Sequence, residues 1–145
     1  KRMRLIETCC EFECEYLRKH GGRLYPHVED TLEKLSARYP LYIVSNCQDG
    51  YIEAMFAVHD LQKYFRDYEC SGRTGKAKFE NLKSIVERNH LQQPVYIGDT
   101  KTDQVSCCKA GIPFIYASFG FGEADDYAAS VDTFSKLAQL FLTEQ

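Results

Sequence analysis

An open α/β fold, a parallel sheet with helices on both faces, is the architecture this sequence predicts. Two observations carry the prediction. Strand-like segments alternate with helix-like ones along the chain, and the clearest strands are apolar at every position. A strand of that kind is buried on both faces, which is its situation in a parallel sheet between helical layers. Size and composition agree. A chain of 145 residues can hold one domain with a real core. Its 44% hydrophobic and 27% charged residues strike the balance of a soluble globular protein.

The elements follow in order. Residues 1–20 read as a helix, because Leu5, Cys9, Phe12 and Tyr16 recur at helical spacing with Ile6, Cys10 and Leu17 beside them. Gly21-Gly22 ends it. A second helix starts near Pro26, buries Val28, Leu32 and Leu35, and closes at Tyr39-Pro40. Leu41-Tyr42-Ile43-Val44 is a buried strand ending in Ser45-Asn46, and Asp49-Gly50 turns into a short helix over 51–58. Residues 61–70 predict a helical turn and a short strand at 68–70, and Gly72 and Gly75 mark a loop. Phe79, Leu82, Ile85 and Val86 form the apolar face of a helix ending near Asn89. A second strand, 94–97, stops at Gly98-Asp99-Thr100, and a helix over 102–110 ends at Gly111. A third strand at 113–117, a glycine-rich acidic loop at 119–126, a short strand at 127–129 and a helix over 133–142 complete the chain.

Several function classes are disfavoured. The net charge is −3, so no basic field is available for a nucleic-acid backbone. No apolar run approaches the ~18–20 residues that span a bilayer. The start, Lys1-Arg2-Met3-Arg4, is basic, but acidic residues follow at once, unlike a signal peptide. The chain begins without Met inside a helical pattern, which suggests an internal starting point. Seven cysteines, Cys9, Cys10, Cys14, Cys47, Cys70, Cys107 and Cys108, show neither CxxC nor zinc spacing. They read as buried, reduced thiols of a cytoplasmic protein.

In an open α/β sheet, ligands sit at the carboxyl ends of the strands. The polar residues gather there. Ser45 and Asn46 end one strand, Asp99 and Asp103 follow another, and Lys76 and Lys78 precede the connecting helix. Carboxylates suit a hard cation such as Mg2+. A hydroxyl, backbone N–H groups and a lysine suit a phosphoryl group and its developing charge. Each residue taken singly has a plainer reading. Ser45, Asn46 and Asp99 could be turn residues, Asp103 a helix cap, and the lysines solvated loop charges. Their joint order favours the chemical reading.

The order Leu41-Tyr42-Ile43-Val44-Ser45-Asn46, Thr74-Gly75-Lys76-Ala77-Lys78 and Val95-Tyr96-Ile97-Gly98-Asp99-Thr100-Lys101-Thr102-Asp103 resembles motifs II, III and IV of the haloacid dehalogenase (HAD) superfamily, the last in its GDxxxD form. Cys107 to Gly111 and Ile112-Pro113 resemble the helix end and strand start after that motif in phosphoglycolate phosphatase-like members. Tyr25-Pro26-His27-Val28 resembles the chain's re-entry from a cap domain. The resemblance implies a Rossmann-like core over 23–145 and the remnant of a helical cap over 1–22. It implies a Mg2+-dependent phosphatase acting on a small phosphorylated metabolite through an aspartyl-phosphate. Ser45 and the Asn46 N–H would bind phosphoryl oxygens. Lys76, favoured over Lys78 by its distance from Gly98-Asp99, would pair with nucleophile and phosphate. Asp99 would ligate Mg2+, and Asp103 would support the metal shell or the lysine.

One part of the pattern is missing. The family's DxDx[TV] motif, which supplies the nucleophile and the general acid–base, does not occur in this sequence. By family analogy its strand lies between those ending at Ser45 and Asp99. The core is therefore expected to be incomplete, inactive alone, and open to a complementing N-terminal piece. A non-catalytic remnant or binding domain remains as an alternative, as do phosphomutase, phosphonatase and dehalogenase chemistries. A receiver-like domain fits poorly, because its acidic pair precedes its lysine and here the order is reversed.

Overall fold

The structure, a computed structural model, describes residues 2–143. Lys1, Glu144 and Gln145, at the ends of the expected domains, lie outside the described residues. Among the described residues, five strands and seven helices run in the order α1 (Arg2–His20), α2 (Val28–Ser36), β1 (Leu41–Ser45), α3 (Tyr51–His59), β2 (Phe65–Cys70), α4 (Ser71–Thr74), α5 (Lys78–Arg88), β3 (Tyr96–Gly98), α6 (Lys101–Ala110), β4 (Phe114–Ala117), β5 (Ala129–Val131) and α7 (Lys136–Leu142). A 3-10 turn at Gln62–Tyr64 precedes β2.

All strand pairings are parallel, as the apolar runs predicted. β1 pairs with β2, bringing Ser45 beside Cys70. β3 pairs with β4 and β4 with β5, placing Gly98 beside Tyr116 and Ala117 beside Val131. The strands form two sheets, β1-β2 and β3-β4-β5. Helices cover both faces. On one, Leu82 and Ile85 of α5 and Cys107 of α6 pack with Val44 and Phe114. On the other, Val28 and Leu32 of α2 pack with Ile52 and Phe56 of α3. Leu35, Val131 and Leu137 tie α7 to α2 and β5. Losing a buried side chain such as Ile85, 3% exposed, costs about 2–5 kcal/mol when truncated to Ala.

Between β1 and β3 no ladder forms among the described residues. The facing sides of Tyr42 and Val44 and of Val95, Tyr96 and Ile97 instead line an apolar cavity of about 510 Å³, floored by Leu82. The Tyr96 hydroxyl crosses it and donates to the Val44 carbonyl at 2.9 Å. Val95 and Ile97 are exposed because nothing described covers this edge of β3.

Other departures are local. Residues 71–74 make one helical turn where a loop was expected; Gly75 ends it at φ 67°, a left-handed conformation that glycine adopts without cost. β5 lies two residues later than predicted. In α1 the helix is present, but its apolar stripe is not buried. Leu5, Phe12 and Tyr16 are 70%, 69% and 55% exposed. The helix instead seats Cys14 near α3, with its thiol 3.9 Å from the Asp49 carbonyl. All seven cysteines are free thiols, as expected, but Cys9 and Cys108 are exposed rather than buried. No helix among the described residues is long and apolar enough to cross a membrane.

Candidate active site

The chemistry-bearing residues sit where parallel strands end. β3 ends at Gly98, and the chain turns through Asp99 and Thr100 into α6. Thr100 caps the helix: its Oγ1 accepts from the Asp103 N–H at 3.2 Å. Asp103 answers. Its Oδ2 accepts from the N–H of Asp99 and of Thr100, both at 3.1 Å, and from the Thr100 hydroxyl at 2.9 Å. This is a reciprocal capping box with Asp in the third helical position. It needs Gly98, because a Cβ there would lie 2.7 Å from Asp103 Oδ2.

Asp103 Oδ1 receives the ammonium of Lys78. The pair is buried, with the two side chains 10% and 6% exposed. Burial pushes the Asp103 carboxyl up. The Lys78 ammonium, the Thr100 hydroxyl and the Asp99 N–H outweigh it, so the group lies below the ordinary carboxylate value. The Lys78 Nζ also lies 5.5 Å from the centre of the Tyr96 ring. Through Tyr96, whose hydroxyl reaches Val44, the lysine is linked to the end of β1. Burial and the nearby Asp103 carboxylate push the Cys107 thiol up to about 12, so it stays protonated and inert.

The lysine facing this carboxylate is therefore Lys78, not Lys76. Lys76 is exposed in the loop before α5, where its backbone N–H donates to the Thr74 hydroxyl at 3.1 Å. Lys78 is the first residue of α5 and points onto α6. Neighbouring side chains fix the loop. Asn81, fully buried, accepts from the Thr74 hydroxyl at 2.9 Å, and Glu80 accepts from the Ala77 N–H at 3.0 Å.

At the end of β1, the Ser45 hydroxyl is half-buried and accepts from the Cys47 N–H at 3.2 Å. Asn46 is exposed, and its side-chain oxygen accepts from Ser71 at 3.1 Å. Asp99 is half-buried. Its Oδ2 accepts from the Phe121 N–H at 2.8 Å, and its Oδ1 takes no hydrogen bond among the described residues.

The residues fit Mg2+ through one donor. Both oxygens of Asp103 are occupied by Lys78 and the turn, while Asp99 Oδ1 is a hard oxygen with no competing partner. Mg2+ commonly binds through one or two carboxylates plus water and phosphate oxygens. No group of three His, Cys, Asp or Glu residues among the described residues forms a closed cage.

Sequence reasoning missed three contributors. Tyr96 was read only as strand, though a tyrosine in an otherwise aliphatic run needs a partner for its hydroxyl. Thr100 was not singled out, yet Thr100-Lys101-Thr102-Asp103 has the spacing of a capping box. Gln104, whose side-chain oxygen accepts from the Asp125 and Asp126 N–H groups across the loop after β4, carried no signal.

Known proteins resemble this chain in sequence and in fold. The sequence profile of the haloacid dehalogenase-like hydrolases matches residues 4–117. Phosphoglycolate phosphatase of Escherichia coli K12 is 31% identical over 116 residues, 74% of this chain and 46% of that protein. Phosphoglycolate phosphatase of Shigella boydii is 28% identical over 134 residues, 87% of this chain and 53% of that protein. A haloacid dehalogenase-like family hydrolase from Streptococcus pneumoniae superposes with a TM-score of 0.79 at 23% identity, covering 94% of this chain and 70% of that one. That likeness bears on the fold alone. The chain spans about half the length of these curated relatives. With the profile covering most of its length, the chain belongs to the haloacid dehalogenase-like hydrolase family.

Proposed function

We propose that this chain is the phosphate- and cation-binding part of a Mg2+-dependent phosphomonoesterase that hydrolyses a small phosphorylated metabolite. The observation that carries the reading is the buried Lys78–Asp103 pair, locked to the Gly98–Thr100 turn beside the free oxygen of Asp99. An ammonium fixed in a partly dry site acts on a phosphoryl group at no reorganisation cost. Ser45 and the Asn46 N–H bind phosphoryl oxygens, Lys78 neutralises their charge, and Asp99 holds the cation. Mg2+ when bound supplies positive charge to the phosphoryl oxygens. Asp103 orients Lys78 and the turn. Phosphoglycolate is the first substrate to test, because the curated relatives are phosphoglycolate phosphatases.

In this reading the attacking carboxylate comes from a DxDx[TV] strand pairing in the slot between β1 and β3. Further length of the same polypeptide or a separate fragment would carry it. The apolar slot, the open edge of β3 and the greater length of the relatives support this. The unpartnered apolar stripe of α1 supports its place in a helical cap. The free thiols fit a reducing, cytoplasmic setting. A second reading, a non-catalytic member of the family, is favoured by the missing DxD alone.

The test is a phosphatase assay on small phosphomonoesters with Mg2+. The expected outcome is no turnover by the 145-residue chain alone. A rate from it that Asp99→Asn abolishes refutes this division of labour.

A further inference from the structure

The loop 118–126, after β4, is bound to the candidate site by contacts that the proposed chemistry does not use. Gln104, on the first turn of α6, is their hub. Its Oε1 accepts from the N–H of Asp125 at 3.0 Å and of Asp126 at 3.3 Å, and its Nε2 donates to Asp125 Oδ1 at 2.9 Å. Lys101 pairs with the same carboxylate. Tyr116 donates to the Gly122 carbonyl at 2.9 Å. So fastened, the loop lies directly on the Asp99–Thr100 turn. A Cβ on Gly122 would come within 2.9 Å of the Asp99 carbonyl, and one on Gly120 would overlap the Asp99 side chain. At the crown of the loop the Phe121 N–H meets Asp99 Oδ2 at 2.8 Å, while the Phe121 side chain, 96% exposed, takes no part.

A carboxylate with one oxygen held by a fixed N–H cannot rotate freely, so its other oxygen has a defined direction. We propose that Gln104 is a positioning residue: by clamping the 118–126 loop to α6, it keeps the Phe121 N–H on Asp99 Oδ2 and turns Asp99 Oδ1 toward a divalent cation. The inference rests on the reading of Asp99 as a cation ligand. Gln104 touches neither cation nor phosphate; it acts through the loop. Groups that orient a metal ligand commonly change affinity about 10–100-fold when lost. Gln104 acts one step further out, so about tenfold is expected.

The test uses Mn2+ as the probe and paramagnetic broadening of the Asp99 and Thr100 amides as the readout. In the native chain these signals broaden first. Gln104→Leu raises the Mn2+ concentration for half-broadening about tenfold, with thermal unfolding little changed and faster exchange of the Phe121 amide. Gln104→Glu alone weakens Mn2+ binding, because it repels Asp125. Combined with Asp125→Asn, it swaps donor and acceptor across the same contact and restores binding to within about twofold of the native chain. If Gln104→Leu does not fold, the Glu variants decide by that rescue. Native binding with Gln104→Leu equally tight, or no rescue by the double variant, refutes the clamp while leaving Asp99 as the ligand. No selective broadening at Asp99 in the native chain refutes the cation reading, and the clamp's role with it.

Discussion

Replacing Lys78 by Met separates the buried ion pair from its surroundings with little change of volume. Asp103, 4% exposed as a residue, then keeps a carboxylate whose Oδ1 has lost its partner and cannot reach water. Breaking one side of a buried pair costs about 3–5 kcal/mol. An unfolding entropy near 2.1 cal/mol/K per residue gives this chain about 0.3 kcal/mol/K, so Lys78→Met lowers Tm by roughly 10–16 °C at pH 7. Lys76→Met, at an exposed position, stays within about 0.5 kcal/mol, under 2 °C. The pH dependence has a definite sign. Asp103 has a depressed carboxyl in the native chain, so its contribution is present above the unfolded value of 3.8 and lost as pH falls through the native one. In Lys78→Met, burial is no longer outweighed and the carboxyl rises instead. The deficit against the native chain therefore shrinks between pH 7 and pH 3. Circular-dichroism melts of both variants at the two pH values measure this. Equal melting of Lys78→Met and Lys76→Met at pH 7, or a deficit that does not narrow at pH 3, would show that the Lys78–Asp103 pair does not hold the turn.

Three further outcomes rest on the same packing. Gly98→Ala places a methyl 2.8 Å from Asp103 Cβ and Cγ, so Asp103 must give up turn contacts. Destabilisation of about 1–3 kcal/mol is expected by denaturant unfolding, and a neutral result contradicts the close approach. Under native conditions, alkylation followed by mass spectrometry labels the exposed Cys9 and Cys108 first. Cys107, fully buried and with its thiol near 12, reacts only on unfolding; labelling at the rate of its neighbour Cys108 contradicts that environment. Asn81→Leu removes the acceptor for Thr74 inside a fully buried site. A loss of about 1–3 kcal/mol is expected, along with faster exchange of the Lys76 amide, and unchanged exchange there counts against the loop's being fixed from below.

The fold was legible where a local pattern decides it. The run Leu41–Val44 and the periodicity of Leu82, Ile85 and Val86 specify strand and helix by themselves, and a parallel sheet follows from strands apolar on both sides. What a surface packs against was not legible. The stripe Leu5, Phe12 and Tyr16 has the spacing of a buried face, yet no described element covers it. Ile97 is exposed for another reason, the open edge of β3 that goes with the missing motif strand. GDxxxD marked the turn where Asp99 and Asp103 meet, but not which of their oxygens remain free. That depends on Thr100 and Lys78 together satisfying Asp103. Lys76 and Lys78 are two residues apart, and distance along the chain cannot say which one starts the helix. The helix start places Lys78 inward and leaves Lys76 in solvent. Gln104 was invisible because its partners, Asp125 and Asp126, lie across a loop whose path only the fold determines.

In the proposed function, Ser45, Asn46, Lys78 and Asp99 form one site for phosphate and a divalent cation. The most direct measurement is a titration of the isotope-labelled chain with inorganic phosphate, with and without Mg2+, followed through backbone amide shifts. Concerted shifts are expected at Ser45, Asn46 and Asp99 that are larger with both ions present, survive Lys76→Met and disappear in Lys78→Met. Shifts confined to the Lys76 loop, or none at the ends of β1 and β3, would contradict it.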